Sequence, residues 1–190
     1  KTLFRSNKKN YYLIKNEKEI VKWIEEAEEF GELAIDTETS SLDAHQADLI
    51  GVSLSTKIGK ACYIPIGHKS ENCLDKEVVL KKLKPLLEDK SVKKIGQNIK
   101  FDFIVLYKQG IEMNSMEDTM LMSYVLDAGK NRHNMDILSE IHLSHKTISF
   151  KERKESERQR KNAIQSHPGL NLSKEWFGCR EHIKDWPCFS

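Results

Sequence analysis

Apolar residues along this chain fall into blocks whose spacing alternates between strand-like and helix-like. Tyr11-Tyr12-Leu13-Ile14 reads as an edge strand after a polar, basic stretch (Lys1, Arg5, Lys8, Lys9). Asn16-Glu17-Lys18-Glu19 has the form of a capping box, and Ile20, Val21, Ile24 and Ala27 follow at helical spacing. They predict a helix over 17–29 that stops near Gly31. Three short strand-like runs come next: Leu33 to Glu38, Leu49 to Ser55, and Lys60 to Ile66, the last two separated by a turn at Lys57-Ile58-Gly59. Strands joined so closely form an antiparallel meander.

Val78, Val79, Leu83, Leu86 and Leu87 mark a helix over 76–89, with Pro85 inside it as an expected kink or early break. Val92 to Asn98 reads as a fourth strand, reached by a crossover and therefore parallel to the first. Phe101, Ile104, Val105 and Leu106 then line a helix that opens at Lys100 and closes at Gln109-Gly110. Beyond a short extended piece, Glu117-Asp118-Thr119 caps a helix carrying Met120, Leu121, Tyr124, Val125 and Leu126. A last helix spans 135–143 with Ile137, Leu138 and Ile141 inward. This order of elements predicts an α/β fold on a mixed sheet.

The pattern fails at about Lys151. Residues 151–161 are a charge run without an apolar residue, and 167–190 hold two of the three tryptophans with no defensible period. The expected organisation is one domain over 1–150 and an atypical charged tail over 151–190, either disordered or translated from a shifted reading frame. Composition changes little else. With 31 Lys and Arg against 29 Asp and Glu, the net charge of +2 neither demands nor excludes nucleic acid. No apolar run approaches the roughly 20 residues of a membrane span, so no membrane partner is expected. Cys62, Cys73, Cys179 and Cys188 form no CxxC pair or regular framework, which fits a reducing compartment, and a cytoplasmic location is expected.

Chemistry is concentrated at the end of the first core strand. In an extended strand residues i and i+2 share a face, so Asp36 and Glu38 stand side by side. Two like charges at that range call for a raised pKa on one of them or a bound cation, and oxygen donors suit Mg²⁺ or Mn²⁺. An isolated Asp-x-Glu is equally the exposed end of a strand. Asp102, however, opens a helix just after a strand expected to neighbour that of Asp36, which brings a third carboxylate to the same end of the sheet. Two metals about 3.5–4 Å apart, one activating water and one steadying the leaving oxygen, are a known means of cleaving phosphodiesters.

Three segments carry a family resemblance: Asp36-Thr37-Glu38-Thr39-Ser40-Ser41-Leu42-Asp43, Gly96-Gln97-Asn98-Ile99-Lys100-Phe101-Asp102, and Arg132-His133-Asn134-Met135-Asp136. In order and spacing they resemble the 3′–5′ proofreading exonuclease domain of bacterial DNA polymerase I. The likeness runs through Asp118-Thr119-Met120-Leu121 and His145-Lys146-Thr147-Ile148, covering about residues 10–150. It implies a ribonuclease H-like fold and a DEDD-class exonuclease using two divalent cations, Mg²⁺ or Mn²⁺, on the 3′ end of single-stranded DNA. By resemblance, Asp36 and Glu38 hold the metal with the attacking water, and Asp36 and Asp102 hold the second. Leu42 is then the wedge against the terminal base, Thr37, Gln97, Asn98 and Phe101 line the strand's path, and Arg132 lies near a phosphate. From the residues alone, Leu42 and Phe101 could be ordinary core, Asn98 a strand-end cap and Arg132 a surface charge.

The family's third motif, Tyr-x-x-x-Asp or His-x-x-x-x-Asp, supplies a fourth carboxylate and the group that orients water. Neither pattern occurs here: Tyr124 is the last tyrosine and precedes Asp127 at the wrong spacing, and His182 stands three positions before Asp185. Impaired catalysis is therefore expected, with the polymerase domain absent from this chain. The alternatives are a non-catalytic module that binds single-stranded nucleic acid and an RNA 3′ exonuclease of ribonuclease D type.

Overall fold

The computed structural model describes residues 10–67 and 73–144; the predicted tail from Lys151 lies outside them. In chain order the elements are β1 (Tyr11–Leu13), α1 (Glu17–Phe30), β2 (Glu32–Thr39), β3 (Leu49–Lys57), β4 (Lys60–Pro65), α2 (Lys76–Glu88), β5 (Lys93–Gly96), α3 (Ile99–Tyr107), β6 (Met116–Asp118), α4 (Thr119–Asp127) and α5 (Met135–Leu143). The six strands form one mixed sheet in the order β1-β4-β3-β2-β5-β6. β2, β3 and β4 are the antiparallel meander, and β5 lies parallel to β2 through Glu32↔Lys93 to Ala34↔Ile95. Short parallel strands close both edges.

Strand alternation gives the sheet two unequal faces. Leu33, Ile35, Val52, Leu54, Cys62 and Ile64 point to one of them, where they pack with Ile20, Trp23 and Ala27 of α1, Val79, Leu83, Leu86 and Leu87 of α2, and Val105 and Leu106 of α3. The other face has a much smaller apolar cluster, Ala34 and Ile95 with Met135 of α5. Polar groups can occupy that side without displacing a core.

Local chemistry sets the helix ends. Asn16 accepts from the Glu19 amide at 3.1 Å while Glu19 reaches back to the Lys15 amide at 2.9 Å, the reciprocal bonds of the predicted capping box. Gly31 ends α1 at φ +67°, a conformation that costs a side-chain-bearing residue energy.

Three expectations change. Pro85 does not break α2, which runs on to Glu88, because Pro85 and Lys81 both lie on the exposed side where the carbonyl freed by the missing N–H can be hydrated. The fourth strand ends at Gly96, since Asn98 turns the chain at φ +58° to start α3. Ile141 is exposed rather than inward, α5 burying Leu138, Ser139 and Leu143 instead. In α4 the buried residues are Thr119 and Ser123, while Leu121, Tyr124, Val125 and Leu126 face outward. Among the described residues no helix is long and apolar enough to cross a membrane.

Candidate active site

Asp36 and Glu38 lie on β2, the interior strand between β3 and β5, and on the thinly covered face. Their cross-strand partners are Ser53 and Gly51. Both acids are half-buried, with Thr37 buried between them on the core side. Gly51 has a packing reason to lack a side chain: a Cβ there would stand 2.1 Å from the Tyr63 hydroxyl, so the phenol end of Tyr63 occupies the space over its backbone. That places the phenol beside the residue paired with Glu38. Burial first, and then the Glu38 charge, push its pKa above the usual tyrosine range. Sequence reasoning missed Tyr63; the signal was a glycine inside a strand-like run, which marks a close approach of another group.

Asp102, in the first turn of α3, is 3% exposed. Its Oδ1 accepts from the Thr37 amide at 2.7 Å and from Thr37 Oγ1 at 2.6 Å. The pairing of β2 with β5 stops at Ala34, so the Asp102 carboxylate satisfies an amide that the sheet leaves open. Burial raises its pKa to about 6, against the lowering effect of the Thr37 bonds, and Asp118 adds like charge. Asp118 in turn fixes where α3 begins. Its Oδ1 and Oδ2 accept from the Asn98 and Ile99 amides, each at 3.0 Å, and Oδ1 also accepts from Met120 and Leu121, so that one carboxylate caps both α3 and α4.

The remaining predicted residues divide by environment. Leu42 is 98% exposed and is not core. Phe101 is half-buried against the main core. Asn98 is exposed at its positive φ and makes no side-chain cap bond, and Arg132 is exposed. Gln97 is held rather than open: Nε2 donates to the His133 carbonyl at 2.8 Å, and Thr119 Oγ1 lies 2.5 Å from its Oε1. His133 is buried, with Nδ1 2.8 Å from Ser123 Oγ and its ring 3.8 Å from that of Tyr124. This polar seam explains the outward turn of α4, because Thr119 and Ser123 must face Gln97 and His133.

As to metal, Asp36 and Glu38 offer hard oxygen donors on one strand face, the donor chemistry that a divalent cation requires. Among the described residues, however, no three His, Cys, Asp or Glu side chains converge closely enough to hold an ion. Asp102 is tied to this pair through Thr37, the residue between the two acids, by the bonds to its amide and hydroxyl.

A mixed sheet in the order observed, with acids at the end of one of its interior strands, is the architecture of the ribonuclease H-like exonucleases. A 3′–5′ exonuclease family model matches residues 11–168, and the chain belongs to that family. DNA polymerase I of Rhizobium leguminosarum is 43% identical over 163 residues, 75% of this chain; the chain spans only 16% of that protein's length. Among solved structures, Brucella melitensis NrnC superposes with a TM-score of 0.53 at 27% identity, covering 63% of this chain and 55% of that one, and it has also been solved with bound Mg²⁺. A Trypanosoma brucei RNase D complex with GMP shares the fold (TM-score 0.60, 14% identity, 82% of this chain and 46% of that one).

Proposed function

We propose that this domain removes nucleotides one at a time from the 3′ end of single-stranded DNA. The observation that carries the reading is the grouping on β2: Asp36 and Glu38 on its open face, Asp102 bonded to the threonine between them, and a fully exposed Leu42 in the loop that follows. Asp36 and Glu38 would hold a divalent cation, Mg²⁺ or Mn²⁺, and Asp102 would join Asp36 in holding a second by sharing or releasing its Thr37 bonds. Bound there, such ions supply an activated water and stabilise the leaving oxygen.

The chain's own residues do the positioning. Leu42, an apolar side chain held in solvent, has a use if a base packs against it. Asn98, Phe101 and Arg132 would offer an amide, an aromatic edge and a cation along the strand's path. Gln97 acts from behind, tying the end of β5 to the segment that carries Arg132. Within these 190 residues three of the family's four carboxylates are present, so turnover is expected to be slow.

A 3′-labelled and a 5′-labelled oligonucleotide, as DNA and as RNA, incubated with Mg²⁺ or Mn²⁺ beside the Asp36→Ala variant, test the reading. Stepwise shortening from the 3′ end is expected, DNA faster than RNA. Asp36→Ala should lower it by more than the roughly 10–100-fold that loss of a supporting residue costs. Binding without shortening would replace the enzyme with a binding module, and faster loss of RNA would move the substrate class to RNA.

A further inference from the structure

We infer that Lys108 is a positioning residue that holds Leu42 in register with Asp102; the inference rests on the proposed action at a 3′ end. Leu42 sits in the loop between β2 and β3, whose ends are tied by the Ser40 amide to the Asp48 carbonyl at 3.0 Å and by the Asp48 amide to Ser40 Oγ at 2.9 Å. Inside it, residues 43–47 make a single helical turn. Ala47 N donates to Asp43 O at 2.8 Å, and Asp43 caps the turn by accepting from the His45 amide at 2.9 Å. One isolated turn cannot satisfy its own last carbonyls, and it is too short to be stable alone.

Lys108 supplies what the turn lacks. From the C-terminal end of α3 its Nζ donates to the carbonyls of His45 at 2.6 Å, Ala47 at 2.9 Å and Ala44 at 3.4 Å. A cation on carbonyls at the end of a helical turn is also favourable to the turn's dipole. Ala44 and Ala47 are buried beneath the turn, so the loop stands on two small apolar feet with one ammonium as its cross-tie. The same helix carries Phe101 and Asp102 in its first turn. Through Lys108 the loop and the carboxylate therefore share one rigid support, and Leu42 is held outward without any apolar contact of its own.

The ammonium's role can be tested apart from bulk stability, because the Lys108 side chain is itself exposed. Single-stranded DNA with 2-aminopurine as its 3′-terminal base reads the wedge directly, since unstacking raises its fluorescence. At saturating wild-type protein the fluorescence should rise, and Leu42→Ala should suppress the rise. Lys108→Met should cut the amplitude by about threefold or more, with Lys108→Arg restoring most of it. The thermal midpoint of each variant and the salt dependence of its DNA affinity are measured in parallel. An unchanged amplitude in Lys108→Met overturns the inference, as does a lost amplitude that is accompanied by a reduced salt slope, which would make Lys108 a phosphate contact. Should Lys108→Met not fold, Lys108→Gln, which keeps one donor group, takes its place under the same criteria. If wild type binds without unstacking the base while still shortening DNA, the inference fails and the exonuclease reading stands; if it neither binds nor shortens DNA, the functional reading itself is overturned.

Discussion

Lys94 and Asp102 are both buried charges, one within β5 and the other just beyond its end, and the protein treats them differently. Lys94 is fully buried, yet its ammonium finds the carbonyls of Val92 at 2.6 Å, Leu86 at 3.4 Å and Asp89, where the last turn of α2 leaves acceptors open. Burial lowers its pKa to about 8, but the nearby Asp89 attracts it, so at neutral pH it remains charged and compensated. Asp102 has two donors from Thr37 and, as its charged neighbour, Asp118, which repels it. One charge finishes a helix. The other is buried beside a like charge, a cost to stability that the proposed metal-holding role would explain.

The comparison breaks most visibly if Lys94 proves dispensable. Lys94→Met keeps the apolar stem and removes the donor, leaving the carbonyls of Leu86, Asp89 and Val92 without it. A loss on the order of 3 kcal/mol is expected, seen as a thermal midpoint lower by about 10 °C. A midpoint equal to or above wild type would mean that those carbonyls find other partners and that Lys94 carries no such structural debt.

Neither role was equally visible in the sequence. Asp36 and Glu38 were legible because alternation in a strand is a local rule, and the capping box at Asn16 and Glu19 because its partners are three residues apart. Lys94 reads as one of two polar residues at a strand start, and only the approach of α2 makes its long side chain a buried cap. Lys108 bonds carbonyls distant in sequence, and no spacing announces that. The helix at α4 is legible from its cap, but not its buried side, which is set by Gln97 and His133, polar partners from other elements. The order of strand and helix puts Asp102 at the acid pair's end of the sheet, while its bonds to Thr37 depend on where β5 stops pairing.

A smaller effect of opposite sign is expected at Asp102. Asp102→Asn keeps an oxygen for the two Thr37 donors and removes the buried charge. In the folded chain the carboxyl holds its proton up to about pH 6, against 3.8 as its ordinary value, so between those values the folded state binds more protons than the unfolded one. Stability therefore falls as pH rises through that window, and the cost is fully present above it. With divalent cations chelated, Asp102→Asn should be more stable than wild type at pH 7 by about 1–2 kcal/mol, a midpoint higher by a few degrees, and the gap should close towards pH 4. A variant less stable than wild type at pH 7 would show that the ionised carboxylate is worth more to the fold than its burial costs, and would place Asp102 with Lys94 as a structural charge. Gain of stability together with loss of 3′-end shortening would separate the two, since removal of a compensated charge cannot raise stability and abolish chemistry in one step.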